Sequence, residues 1–271
     1  MTIISTVISR FGVVHATDSL ITTLSSGGVY SPISWRWEKL IRVPMWKGIM
    51  SFWGLAKINR YGWSTITWLE NQVHNTRGFR NPESFAVHVA SELNKELSRM
   101  GVANNTNAGI GIHFTAYENI NGNNIPELFL ISNWADPTYS SLRVAGVEAT
   151  RETSATVLNS RDNIGGVNIP NRINLYNWLQ AGNYITYNNG DPLLYNSAAN
   201  AMTGMVQVLK TRNILKSVNR LDTYVKISRF PVDTVTHMQK QLCKRGTQIV
   251  GGRTRDISVN PTGTYLSTSG D

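Results

Sequence analysis

Apolar and polar positions form short blocks from the start of the chain. Residues 3–8 (IISTVI) and 11–17 (FGVVHAT) are β-rich runs separated by SRFG, which predicts a hairpin. KLIRVP (39–44) and GIMSFWG (48–54) predict a second strand pair. The clearest helix is NPESFAVHVASELNKELSRMG. Asn81 can cap it, Pro82 and Glu83 suit the first turn, and Gly101 ends it. Phe85, Val89, Leu93 and Leu97 recur at i+4 and give that helix one apolar stripe. A weaker helical pattern runs from about Ile58 to Val73 through Thr65 and Leu69.

GIGIHFTAYEN and PELFLISN predict two more strands around a polar NINGNN turn, with strand-like stretches near 142–158. Residues 159–194 are rich in Asn, Gly and Pro and yield no assignment. SAANAMTGMVQVLKTRN and PVDTVTHMQKQLCKRG predict two helices, the second with Val232, Val235, Met238 and Leu242 on one side. QIVGG, RDISVN and TYLST predict closing strands. The order is strands, two helices, strands, two helices, strands, which sheets packed on each other with helices outside would satisfy.

Composition narrows the class. Of 271 residues, 41% are apolar and only 16% charged, with abundant Asn, Ser, Thr and Gly, a mix suited to strands and turns. No stretch is apolar for the ~18 residues of a membrane span. The apolar start is broken by Arg10 and lacks a basic leader, so no signal peptide is read. Cys243 is the single cysteine, which excludes an intrachain disulfide and points to the cytoplasm. It sits near the apolar face of its helix and is expected in the core.

The net charge of +9 is uneven: residues 153–271 carry 13 basic and 6 acidic side chains, with no Glu. The basic residues are spread rather than clustered, and no nucleic-acid-binding signature accompanies them, so a solvated or subunit-facing surface is expected. His15, His74, His88, His113 and His237 show no metal-ligand spacing and read as structural. No metal or other cofactor is expected.

The opening MTIISTVISRFGVVHATDSLIT places Thr after the initiator Met. Removal of Met1 would leave a hydroxyl and a free amine on one residue, a self-contained nucleophile and base. Asp18 lies sixteen residues further on, in Val13-Val14-His15-Ala16-Thr17-Asp18. Lys39 begins Lys39-Leu40-Ile41-Arg42-Val43, and Gly54 follows Met50-Ser51-Phe52-Trp53. Near the end come a helix, Gly251-Gly252 and Asp256-Ile257-Ser258-Val259. Thr2, Asp18, Lys39 and Gly54, in this order and spacing, resemble the N-terminal nucleophile hydrolases of the proteasome β-subunit type, including their bacterial members. The likeness is close over 2–133 and looser over 195–267.

The resemblance implies an α+β fold, a four-layer αββα sandwich of two antiparallel sheets flanked by helices. It would be a single domain over 1–271 with an unassigned insertion around 159–190. It implies a threonine-type hydrolase of peptide or amide bonds. Thr2 would be the nucleophile, Lys39 the cation that tunes it, and Asp18 the partner that orients Lys39. The Gly54 N–H would be the oxyanion donor. Phe52, two residues before that Gly, would line a shallow pocket favouring small or flat apolar side chains over Arg, Lys or Glu.

The expected partners are a peptide or protein substrate and further copies of the chain in a homo-oligomer, with no membrane and no nucleic acid. The sequence identifies no unfoldase. Five of the eight Trp, at 35, 37, 46, 63 and 68, cluster early as candidate core or contact residues. The Ser expected before the third helix is absent from Asn188-Asn189-Gly190-Asp191. Before Gly251-Gly252 only Thr247 stands in for the expected Asp and Ser. These departures keep two alternatives open: an inactive scaffold of the same fold, and an amidase acting on a small molecule.

Overall fold

The computed structural model describes residues 2–24, 30–105, 108–135, 142–144, 146–151, 154–157, 165–168, 172–190, 220–243 and 250–269, with isolated positions between 198 and 212. The architecture is α+β, and every strand pairing described within its sheets is antiparallel.

The first hairpin forms as expected. β1 (Ile3–Ser9) and β2 (Gly12–Thr17) pair from Ile4↔Thr17 to Ser9↔Gly12. Gly12 permits the tight turn, because an added Cβ there would press on the Val259 carbonyl. β1 lies at the centre of a seven-stranded sheet. Its other neighbour is β14 (Tyr184–Gly190), paired along its whole length from Ile3↔Gly190 to Ser9↔Tyr184. The sheet runs outward on that side through β12 (Ser154–Val157) to β13 (Gly165–Asn168), and on the other from β2 through β15 (Arg255–Val259) to β16 (Tyr265–Ser269). The stretch 159–190 therefore supplies β13, a helix α3 (Arg172–Gln180) and the direct neighbour of β1.

The second sheet has five strands. From edge to edge they are β11 (Glu148–Arg151), β10 (Asn123–Ser132), β9 (Ile110–Ile120), β6 (Gly48–Gly54) and β5 (Leu40–Val43). Two small hairpins stand apart: β3 (Ile21–Leu24) with β4 (Tyr30–Ser34), and β7 (Lys57–Ile58) with β8 (Trp63–Ser64).

Helix α2 (Pro82–Arg99) begins at a capping box. The Asn81 side chain accepts from the Ser84 N–H at 2.8 Å, and the Asn81 N–H donates back to the Ser84 hydroxyl at 3.4 Å. Its Phe85, Val89, Leu93 and Leu97 stripe is fully buried against the five-stranded sheet, with Met50, Phe52, Phe114 and Phe129.

The helix expected from Ile58 begins later. α1 spans Thr65–His74 because Gly62 takes a left-handed turn and Ser64 caps the Thr67 N–H at 3.3 Å. The last described helix, α4 (Leu221–Leu242), starts ten residues before the expected Pro231. Pro231 sits inside it on the buried face with Tyr224, Ser228, Val232 and Val235, packed on β1 and β2. Met238 and Leu242, expected on the apolar side, are exposed. Cys243, expected in the core, is exposed at the end of this helix. The helix expected at 197–213 falls largely outside the described residues. The strand expected at 248–252 is corrected: 248–249 lie outside the described residues, and Val250, Gly251 and Gly252 form a turn, with Gly252 at φ +79°, ahead of β15.

Between the sheets the core is apolar at one end and polar in the middle. Ile8, Val13, Ile49, Tyr117, Leu128 and Ile257 form the apolar end, joined by Leu175 and Leu179 of α3. In the middle, His15 Nδ1 meets the Ser51 hydroxyl at 2.8 Å and its Nε2 meets the Thr115 hydroxyl at 2.9 Å. His113 Nδ1 meets the Thr6 hydroxyl at 2.8 Å, and its Nε2 meets the Asn189 side-chain amide at 2.6 Å. Burial pushes both imidazoles down, His113 to about 3 and His15 well below the ordinary value, so both are neutral at pH 7.

The pH dependence follows from that depression. Between the ordinary histidine value of ~6.5 and the folded-state value, the unfolded chain binds more protons than the folded one. Stability is thus complete above about pH 6.5 and falls as pH drops through the window toward 3. Thermal melts from pH 7 to pH 4 are expected to show a falling Tm, and a His113→Gln variant a shallower fall. A flat Tm profile across that range would contradict the assignment.

Candidate active site

Thr2, Asp18 and Lys39, far apart in sequence, meet at one end of the β1–β2 pair. Thr2 immediately precedes β1, Asp18 immediately follows β2, and Lys39 immediately precedes β5. The strand pairing therefore fixes the first two, and the edge of the other sheet carries the third to them. Lys39 is 1% exposed and Asp18 wholly buried. The Lys39 ammonium donates to the Thr2 hydroxyl at 2.6 Å, to Asp18 Oδ1 at 3.0 Å and to the Leu20 carbonyl at 2.6 Å. These three acceptors use its three N–H groups.

The Asp18 carboxylate is equally well held. Oδ1 also accepts from the Ile3 N–H at 3.1 Å, and Oδ2 accepts from Leu20 N–H and Gly251 N–H, each at 3.2 Å. Burial lowers the Lys39 pKa, while the Asp18 charge and hydrogen bond pull it back up, and the net direction is downward. The site thus holds a lysine that gives up its proton more readily than an exposed one, in contact with a hydroxyl.

The resemblance pointed to Thr2, Asp18 and Lys39, and the structure brings these three side chains together. Gly54 ends β6 in the left-handed region at φ +85°, and the next N–H, that of Leu55, is bound to the Gly109 carbonyl at 2.8 Å. Phe52 is corrected. It is 1% exposed and lies in the core under α2, so it lines no pocket. Alternation on β6 puts Met50 and Phe52 on the helix side, and Ile49, Ser51 and Trp53 on the side facing the other sheet. Trp53 lies edge-on to His113 at 5.4 Å, over Gly111, where any Cβ would collide with its ring.

Spacing did not reveal the Leu20 carbonyl or the role of the Gly251 N–H. Backbone groups leave no signature in residue type, although the Gly251-Gly252 pair was visible. Among the described residues no group of three or more His, Cys, Asp or Glu is placed to hold a metal ion, and no helix is long and apolar enough to cross a membrane. A separate cleft of about 500 Å³ opens between β5, α1, β15 and β16, lined by Glu38, Arg42, Glu70, His74 and Arg255 among others.

Two antiparallel sheets with packed helices carry a Thr–Lys–Asp cluster where the first strand begins. Solved structures share this fold. Anbu (ancestral beta-subunit) from Yersinia bercovieri matches with a TM-score of 0.53 at 10% identity, over 100% of this chain and 88% of that one. An Anbu (Gly-1) mutant from Hyphomicrobium sp. strain MC1 matches with a TM-score of 0.53 at 13% identity, over 99% and 88%. No protein-family model matches the chain, and no curated protein matches it in sequence.

These neighbours correct the resemblance read from sequence. The structural relatives are Anbu, and identities of 10 and 13% establish a shared fold alone. They do not support classifying the chain as an N-terminal nucleophile hydrolase of the proteasome β-subunit type, since a fold does not carry its chemistry with it.

Two outcomes follow from this geometry. Phe52→Ala is expected to cost about 3–5 kcal/mol of stability, as a large-to-small core change, measurable by urea unfolding. It is expected to leave any side-chain preference in a peptide panel unaltered. Asp18→Asn removes the anion facing a buried ammonium and is expected to cost about 3–5 kcal/mol at pH 7. A cost below about 1 kcal/mol, the range of an exposed pair, would show that Lys39 is not held as a buried charge.

Proposed function

We propose that the chain is a threonine-nucleophile hydrolase of amide bonds, with Thr2 the nucleophile once Met1 is removed. The observation that carries this reading is the 2.6 Å contact between Lys39 Nζ and Thr2 Oγ inside a buried, Asp18-anchored site. A threonine hydroxyl is a weak nucleophile until a base takes its proton. The freed α-amine of Thr2 is that base, directly or through one water, since its ordinary pKa lies near ~8. Lys39, the buried ammonium that donates to the hydroxyl, is the cation that favours the deprotonated forms of both groups.

In the first half of the reaction Thr2 Oγ bonds to the substrate carbonyl carbon and its proton passes to the base. The carbonyl oxygen gains the negative charge. As the C–N bond breaks, the base returns the proton to the leaving amine, which leaves an ester on Thr2. Water then adds to the ester by the same proton route, releasing the acid and restoring Thr2. The backbone N–H of Gly54, at the open end of β6, is the proposed oxyanion donor. A contact of that type contributes on the order of 3–4 kcal/mol.

The reading takes residues 1–271 as one cytoplasmic domain acting on peptides or proteins as a homo-oligomer. The lone exposed thiol suits a reducing compartment. The packing of α4 on β1 and β2, and of α2 on β9, β10 and β11, supports a four-layer arrangement. A silent scaffold of the same fold is the second reading. It is favoured by the burial of Thr2, 5% exposed, and by the peptide bond that ties up its amine while Met1 is present.

Intact mass of the purified protein and labelling with a threonine-directed electrophile separate the two. Loss of Met1 and covalent labelling that Thr2→Ala abolishes are expected. A retained Met1 with no labelling favours the scaffold, and labelling that persists in Thr2→Ala moves the nucleophile elsewhere.

A further inference from the structure

The segment between Asp18 and Lys39 leaves the sheet, forms the β3–β4 hairpin and returns. Its two ends are fastened to each other and to the Gly251–Arg253 turn. Ser19 is the fastening. Its hydroxyl donates to the Trp35 carbonyl at 2.7 Å and accepts from the Arg253 N–H at 2.7 Å. Its backbone N–H donates to the Gly251 carbonyl at 3.1 Å, and its carbonyl accepts from the Trp37 N–H at 2.9 Å. Gly252 adopts φ +79°, and an added Cβ would stand 2.5 Å from both the Ser19 hydroxyl and the Trp35 carbonyl. The turn passes so close to Ser19 that only glycine fits.

We infer that Ser19 is a positioning residue for the Thr2–Lys39–Asp18 array, holding Asp18 and the backbone that leads to Lys39 in register with the Gly251 turn. Three features carry this. Asp18 precedes Ser19 directly, and the Gly251 N–H that binds Asp18 belongs to the turn that Ser19 grips through Arg253. The Leu20 carbonyl that accepts from Lys39 follows Ser19 directly, so one residue sits between two of the three acceptors of the ammonium. Trp35 and Trp37, both held to Ser19, approach Lys39 along the chain from the other side. Among the described residues, the charged group facing the ammonium is Asp18. Neighbouring Glu38 points away to Arg255 at 2.6 Å.

The inference deepens the hydrolase reading and rests on it for its catalytic meaning, but it has a readout that needs no turnover. In protein carrying ¹⁵N-lysine, the Lys39 ammonium signal is assigned by its absence in Lys39→Met and titrated with pH. Ser19→Ala loosens Asp18 while leaving Lys39 buried, so desolvation acts less opposed. The Lys39 pKa is expected to fall by about one unit. Gly252→Ala, which displaces the Ser19 hydroxyl without removing it, is expected to shift the pKa the same way.

If wild-type protein labels at Thr2, the pH midpoint of labelling moves with the same sign. If it does not label, the hydrolase reading fails while the titration still decides the role of Ser19. A folded variant of either kind whose Lys39 titrates within about 0.3 units of wild type overturns the proposal. So does failure of both variants to fold, which would assign the contacts to stability alone.

Discussion

Everything near the Thr2 end of the molecule answers to one constraint: the ammonium of Lys39 is charged, almost fully buried and cannot reach water. An ion in such a place is tolerated only where its counter-ion and every one of its donors are satisfied. Three acceptors on three different chain segments do this here, the Thr2 hydroxyl, the Asp18 carboxylate and the Leu20 carbonyl. Asp18 then imposes its own demands, met by backbone N–H groups of Ile3, Leu20 and Gly251. The start of β1, the end of β2, the approach to β5 and the turn before β15 are therefore tied to one point. Moving any of them would leave a buried charge or a buried donor unpaired.

The interior between the sheets follows the same logic with neutral groups. Strand alternation turns Thr6 and Ile8 of β1 toward the second sheet, and Ile3 and Val7 toward α4. The facing strands answer hydroxyl with imidazole and aliphatic with aliphatic. Two buried histidines stay uncharged because burial disfavours the imidazolium, and each neutral ring finds a hydroxyl or amide partner at both nitrogens. Two glycines at the start of β9, one just before it and one within it, make the room. Gly109 and Gly111 let the indoles of Trp134 and Trp53 lie across the strand, where any side chain would collide. A polar, tightly fitted interior of this kind specifies one register between the sheets, because a one-residue slip would bury hydroxyls against leucines.

Much of this was readable before folding, for physical reasons that differ by element. The β1–β2 hairpin and α2 were legible because local signals agree. β-rich runs flank a short turn in one, and an Asn cap, Pro and an i+4 stripe coincide in the other. The Thr2–Asp18–Lys39 set was legible through the family resemblance alone; the β1–β2 pairing explains why Asp18 returns to the level of Thr2, while Lys39 arrives from the other sheet with no local signal. Phe52 was not. Both faces of β6 are buried, so the pattern GIMSFWG carries no polar marker of which face meets the helix. α4 was read ten residues short because Pro231 looks like a first-turn residue, whereas burial on β1 and β2 stabilises the helix through it. Met238, Leu242 and Cys243 were assigned to a core that ends one turn earlier. The β3–β4 hairpin and the Leu20 and Gly251 backbone contacts depend on tertiary closure and leave little trace in residue type.

The same constraint bears on what the array is for. Replacing a buried ion pair with apolar side chains of similar volume is often neutral or stabilising. A fold that needed only to close this corner would do as well with leucine at 39 and valine at 18. Instead the chain holds a charged lysine against a hydroxyl and surrounds its carboxylate partner with donors, all within a few residues of the N-terminus. A site where local stability has been passed over in favour of a particular arrangement of titratable groups is where sequence-level rules are expected to yield to function. The Anbu-like fold shows the frame on which the array is built. The burial of Lys39 and its contacts with Thr2 and Asp18 are the geometry on which the proposed chemistry rests.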